Sequence, residues 1–116
     1  MVKAISDVTF SDEVINSDLP VMLTISADWC EPCKKLHPVI ERLAASYLGQ
    51  LKICTMNVSQ APKTVAQYHV MSVPTLLFIR NGQVVGQHVG GAKATDLARK
   101  IESHLQLRPD GRASAN

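Results

Sequence analysis

The stretch "ADWCEPCKK", Ala27 to Lys35, places two cysteines of the chain three positions apart, directly behind a tryptophan. An apolar run of strand length, residues 20 to 27, leads into this stretch. From residue 31 to residue 48 the apolar residues recur at helical spacing on one side. The sequence therefore predicts a buried strand followed by a helix, with the cysteine pair at their junction.

The composition of the 116-residue chain is that of one globular domain, with 46% hydrophobic and 19% charged residues. A formal net charge of +2 is too small to indicate nucleic acid or a membrane surface as the partner. No apolar run approaches the ~18 residues of a membrane span or the pattern of a signal peptide. We therefore expect a cytoplasmic protein, whose cysteines serve catalysis or metal binding rather than structural disulfides.

The pattern along the rest of the chain predicts an α/β fold, a mixed sheet of four to five strands flanked by helices. A short helix capped by Asp7 or Ser11, with a short strand before it, opens the chain. Asn81-Gly82 predicts a tight hairpin between the last two strands. The other predicted strands are 51–58, 74–80 and 83–89, and the other predicted helices begin at Pro62 and near Thr95. We expect one domain over residues 1–107 and a flexible tail over residues 108–116.

The position of the cysteine pair favours redox chemistry. Cys30 falls near the N-cap of the predicted helix, where unpaired amides and the helix dipole stabilise a thiolate. Cys33 lies one turn along, is expected to be the deeper of the two, and is close enough to form a disulfide. Pro32 stiffens the first turn. Such a pair can take a disulfide from another protein by attack, mixed-disulfide formation and displacement.

Other functions for the cysteines remain open from the residues alone. A zinc site could use Cys30, Cys33 and His37, but no fourth ligand is at a suitable spacing. Covalent haem attachment needs a histidine directly after the second cysteine, where the chain has Lys34. The third cysteine, Cys54, lies on a predicted buried strand and is expected to be a core thiol.

The motif "WCEPCK", residues 29 to 34, resembles the active site of the thioredoxin family, which usually has glycine where Glu31 stands. The likeness covers roughly residues 8 to 107. "VPT" at residues 73–75 resembles the family's cis-proline element, and "VGG" at residues 89–91 its glycine segment. Pro38 resembles the proline that kinks the family's long helix. Together these signals imply a thioredoxin-like fold.

The resemblance implies a protein disulfide reductase in which Cys30 is the nucleophile and Cys33 the resolving thiol. It implies no metal and no bound organic cofactor, protein disulfides as substrates, and a separate thioredoxin reductase as electron donor. We expect a monomer. An alternative is a binding or regulatory subunit on the same fold, whose thiols stay idle. The docking surface implied by the resemblance comprises Trp29, Glu31, Pro32, Val73, Pro74, Gly90 and Gly91.

One departure from the family concerns proton transfer. The family usually carries a buried aspartate six residues before the nucleophile, often with a lysine nearby, and here those positions are Thr24 and Thr55. Loss of both charges together avoids an uncompensated buried charge. Because a threonine does not ionise, Thr24 cannot help Cys33 to lose its proton. We therefore expect a competent but slower or more selective dithiol.

Glu31 is the second departure, and it leads to a prediction. Its carboxylate suits the helix N-terminus but disfavours a thiolate nearby, by roughly 0.7 kcal/mol at ~6 Å in water, or about half a pKa unit. Lys34 and Lys35 oppose this effect. We expect Glu31→Gly to lower the pKa of Cys30 slightly, measured by thiolate absorbance against pH. A higher pKa in the variant would contradict the prediction. Glu31 also projects toward arriving substrates, so it can bias partner choice.

Overall fold

Five strands form one mixed sheet, in the spatial order β1-β3-β2-β4-β5. The computed structural model describes residues 1–111 of the chain. Both β1 and β2 pair with β3 in parallel, whereas β4 runs antiparallel to β2 and to β5. The strands are β1 Val2–Ile5, β2 Val21–Ser26, β3 Lys52–Asn57, β4 Thr75–Arg80 and β5 Gln83–Val89. The predicted α/β architecture is therefore confirmed, with five strands.

Three α-helices flank the sheet: α1 Glu31–Ser46, α2 Pro62–Gln67 and α3 Ala94–Leu105. The helix α1 begins at the cysteine pair and contains Pro38, and α2 begins at Pro62, as the sequence predicts. Two short helical turns, Ser11–Ile15 and Val58–Gln60, complete the secondary structure of the described residues. No helix within residues 1–111 is both long and apolar enough to cross a membrane.

The central strand β2 is buried on both faces, which explains its continuous apolar sequence. Met22 packs with α1 and α3 on one face of the sheet. The next residue, Leu23, points to the opposite face and packs with the N-terminal segment and the α2 region. The strand that leads into the cysteine pair is thus held from both sides, which fixes the position of the junction.

The expected cap of the first short helix was wrong. The turn Ser11–Ile15 follows Phe10 and has no side-chain cap. Asp7 instead caps α2, because its carboxylate accepts hydrogen bonds from the backbone N–H groups of Lys63 at 2.8 Å and Thr64 at 3.0 Å. The Thr64 hydroxyl donates a third hydrogen bond to the same carboxylate at 2.7 Å. The carboxylate therefore satisfies the first-turn amides of a helix 57 residues further along the chain.

The segment after α3 folds back onto the domain as far as it is described. The side-chain amide of Gln50 donates a hydrogen bond to the Pro109 carbonyl at 3.3 Å. The Arg108 guanidinium lies 4.0 Å from Glu102 and 3.8 Å from Asp110. The remainder of the expected tail, residues 112–116, lies outside the described residues.

Candidate active site

The loop between β2 and α1 places Cys30 at the N-cap of the helix, with extended backbone angles of φ −95° and ψ 109°. Its sulfur accepts a hydrogen bond from the Cys33 backbone N–H at 3.2 Å. Its carbonyl accepts from the Lys34 N–H at 3.3 Å, and its own N–H donates to Ala27 at 3.2 Å. Pro32 occupies the first turn, where no N–H is needed. One amide and the positive end of a 16-residue helix therefore point at the Cys30 sulfur.

Cys30 and Cys33 are joined in a disulfide, with their Cα atoms 5.3 Å apart. In this oxidised state Cys30 is only 3% exposed, whereas Cys33 is partly exposed. The expectation that Cys33 is the deeper residue was therefore wrong for the disulfide form. Cys30, as the N-cap residue, directly follows the loop after β2, whereas Cys33 lies within the first turn of α1.

The charges next to the disulfide are partly balanced. The Glu31 carboxylate lies 3.2 Å from the Lys34 ammonium on the first turn of α1. The two side chains are 73% and 61% exposed, respectively. Because the pair is exposed, solvent screens it, and its contribution is small. Lys34 is thus placed to oppose the effect of the Glu31 charge, as the sequence predicts.

A cis peptide bond joins Val73 and Pro74. Pro74 is buried, and its carbonyl accepts a hydrogen bond from the Gly90 N–H at 2.9 Å. The Thr75 hydroxyl donates to the Ser72 carbonyl at 2.7 Å and closes the turn. Val73 belongs to no helix or strand. Among the described residues, neither its backbone N–H nor its C=O has a backbone hydrogen-bond partner. An extended peptide could therefore pair with Val73.

Two grooves flank the disulfide and bring most of the predicted docking residues together. One groove, of about 180 Å³, lies between Trp29 and Val73. The other, of about 350 Å³, is lined by Glu31, Pro32, Lys35, Leu36, Gly91 and Ala92. Trp29 is 76% exposed, so most of its ring is available to a partner. Of the remaining predicted residues, Pro74 and Gly90 line neither groove and instead hydrogen-bond to each other.

Sequence reasoning missed Met71 and Asn57. Met71 is 91% exposed and lines the groove beside Trp29. An apolar residue in the turn-forming segment before Pro74 was the signal that could have found it. The Asn57 side-chain amide donates to the Asp28 carboxylate at 2.7 Å, tying the loop before the cysteines to the end of β3. No local pattern signals that bond.

A small cavity of about 30 Å³ lies behind the disulfide. Thr24 and Thr55 are directly paired across β2 and β3, and both line it. Thr24 is 6% exposed, and its hydroxyl has no hydrogen-bond partner within the described part of the chain. The remaining lining residues are Ser26, Cys33, Leu36, His37 and Ile40. The position at which the family usually has an acid therefore shares a small cavity with Cys33, and the strand residues that line this cavity have no ionisable group.

The third cysteine is a core thiol, as predicted. Cys54 lies on β3 with 0% exposure and is not in a disulfide. Burial raises the pKa of its thiol, which keeps it protonated and unreactive. Within residues 1–111, no three His, Cys, Asp or Glu side chains are grouped so that they could hold a metal ion.

Comparison with known proteins agrees with the geometry. The sequence model of the thioredoxin family, described as "Thioredoxin", matches residues 1–103. A thioredoxin of Haemophilus influenzae is 46% identical over 101 residues, which are 87% of this chain and 94% of the relative. Thioredoxin 2 of Chlorobaculum tepidum is 41% identical over 100 residues, 86% and 92% of the two chains. Thioredoxin 1 of a Nostoc species is 38% identical over 101 residues, 87% and 94%. The chain therefore belongs to the thioredoxin family, and it is a thiol–disulfide oxidoreductase that reduces protein disulfides.

Proposed function

We propose that Cys30 is the nucleophile and Cys33 the resolving thiol of this reductase. The Cys30 thiolate attacks a substrate disulfide, forms a mixed disulfide and releases the first substrate thiol. Cys33 then attacks the Cys30 sulfur, which releases the second substrate thiol and leaves the Cys30–Cys33 disulfide. The observation that carries this assignment is the hydrogen bond from the Cys33 N–H to the Cys30 sulfur at the N-terminus of α1.

The substrates that fit this site are extended segments of other proteins that carry a disulfide. The unpaired backbone of Val73 suits strand-like pairing, and the groove between Trp29 and Val73 suits an apolar side chain. Gly91 lines the other groove, and the space beside it is open: a Cβ atom added there would meet no atom within 4 Å. In the disulfide form Cys30 is only 3% exposed, so close seating of a substrate segment between the two grooves favours the exchange.

We further propose that a thioredoxin reductase supplies the electrons and that the protein acts as a cytoplasmic monomer. A cycling disulfide in a chain that also has a free thiol, Cys54, suits a reducing compartment. The working domain is residues 1–107, because both core clusters lie within it. The test is insulin reduction with NADPH and a thioredoxin reductase, each omitted in turn. If the protein reduces insulin with dithiothreitol but not with NADPH and the reductase, a thioredoxin reductase is not its electron donor.

Two adjacent glycines give a prediction that separates folding from docking. Gly90 has a φ of +96°, whereas Gly91 does not have a left-handed backbone, and neither site is crowded. We expect Gly90→Ala to lower the free energy of unfolding by about 1–3 kcal/mol through backbone strain. Gly91→Ala should leave stability within about 0.5 kcal/mol.

Both variants are measured by urea unfolding and by reduction of insulin and of a small aromatic disulfide. We expect Gly91→Ala to slow insulin reduction selectively, because its methyl group would project into the groove that a protein substrate fills. Equal stability of the two variants would contradict the strain argument, and equal slowing of both substrates would contradict the docking role of Gly91.

A further inference from the structure

His37 lies on α1 between Cys33 and Glu41, four residues from each. Side chains four residues apart on a helix are neighbours on one face. The His37 Nε2 atom lies 3.5 Å from a Glu41 carboxylate oxygen. A proton on Nε2 directed at that carboxylate leaves the lone pair on the other ring nitrogen, Nδ1.

His37 also reaches the cavity behind the disulfide. It lines the 30 Å³ space together with Cys33 and Thr24, although its side chain is 61% exposed. A cavity of this size has room for about one water molecule, which can bridge polar side chains that line it. His37 therefore shares a cavity with Cys33 and is also open to bulk solvent, as a proton acceptor must be if it is to release the proton again.

We propose that His37 is the general base for Cys33, taking over the proton-transfer role that Thr24 cannot fill, and that Glu41 orients it. This inference rests on the function proposed above. In the resolving step the Cys33 thiol gives its proton to His37, directly or through one water. The Cys33 sulfur then forms a bond with the Cys30 sulfur, and the bond from Cys30 to the substrate sulfur breaks. The substrate sulfur leaves with that electron pair and takes up a proton from the imidazolium or from water. The substrate disulfide gains two electrons and the protein dithiol loses two.

Few of the groups that line the cavity compete with His37 for this role. On its own helix, Lys34 is three residues away but lies 3.2 Å from Glu31. The strands β2 and β3 contribute Thr24, Ser26 and Thr55 to the cavity, and the hydroxyls of these residues do not ionise. Of the side chains that line the cavity, His37 is thus the one with a nitrogen lone pair that can accept the Cys33 proton.

The test follows the two thiols separately. Reduced protein is mixed with one equivalent of dithiobis(nitrobenzoate) in a stopped-flow instrument. Attack by Cys30 releases the first coloured thiolate, and attack by Cys33 on the mixed disulfide releases the second. We expect His37→Gln to slow the second phase about 100-fold at pH 7 and to change the pH dependence of that phase, with the first phase unchanged. Glu41→Gln should slow the second phase less.

The matched control is His69→Asn, which replaces an exposed histidine at a left-handed position that asparagine tolerates. It should leave both phases unchanged. If His37→Gln shows a normal first phase and an unaltered pH profile of the second phase, the role of His37 is overturned, while the proposed function stands. Absence of the first phase in the unmodified protein would overturn the function proposed above instead, so the two failures are distinguishable.

Discussion

Replacing Cys30 with serine is expected to reduce insulin disulfide reduction to the rate seen without the protein. A serine hydroxyl at the same N-cap accepts the Cys33 amide hydrogen bond, so the fold is kept. It remains protonated at neutral pH and cannot form a mixed disulfide, so the first step of the exchange is lost. The measurement is insulin precipitation with NADPH and thioredoxin reductase.

Two further variants show whether the loss belongs to the site. Cys33→Ser should keep the first attack and accumulate a mixed disulfide, visible as an added mass on the intact protein. Cys54→Ala should keep full activity, because Cys54 is buried in the core away from solvent. Residual turnover by Cys30→Ser near the unmodified rate would contradict the assignment of the nucleophile.

The same variant addresses the alternative of a binding or regulatory subunit. If the thiols were idle, Cys30→Ser would support any partner activity as well as the unmodified protein does. If the dithiol is the working group, that partner activity falls together with insulin reduction. The comparison therefore separates the two functions without knowledge of the natural partner.

The sequence predicted the elements whose signals are local. The strand into Cys30 is an apolar run, α1 shows helical spacing, and Asn81-Gly82 marks the hairpin. These patterns are local because they depend only on side-chain periodicity and on turn geometry. The bounds of these elements in the structure differ from the predicted ones by one or two residues at most ends.

The features that the sequence did not reveal depend on contacts between distant residues. Asp7 caps a helix far along the chain, and the side-chain amide of Asn57, at the end of β3, reaches Asp28 in the loop after β2. The burial of Cys30 depends on how the loop settles against the end of β2. The sequence indicated His37 only as a possible zinc ligand, and the cavity that it shares with Cys33 is what indicates a role in proton transfer. No local pattern encodes such packing.

Replacing Thr24 with aspartate is expected to lower the free energy of unfolding by about 3–5 kcal/mol at neutral pH. Thr24 is 6% exposed, and the residue paired with it on the neighbouring strand β3 is Thr55, which carries no positive charge. The introduced carboxylate would therefore be a buried charge with no cation among the strand residues that line the cavity. Burial raises the pKa of such a carboxyl above its unfolded value of about 3.9. The loss should be small below about pH 4, where both states are protonated, and should grow as the pH rises above the unfolded value.

The same variant restores an acid beside Cys33, so it should alter the pH dependence of disulfide reduction even while it weakens the fold. A carboxylate facing the cavity offers a second proton acceptor for the resolving thiol. Identical pH profiles for Thr24→Asp and the unmodified protein would rule out the idea that the missing acid limits the resolving step.

The double variant Thr24→Asp with Thr55→Lys tests the cause of the instability. The two positions are directly paired in the β2–β3 register and line one cavity. A lysine at position 55 places a cation beside the carboxylate, so the pair should recover about 0.5–3 kcal/mol relative to the sum of the single variants. Urea unfolding of all four proteins at pH 4 and pH 7 measures this coupling. A loss for Thr24→Asp that is equal at both pH values, with no recovery in the double variant, would show that the site rejects aspartate for its shape rather than its charge.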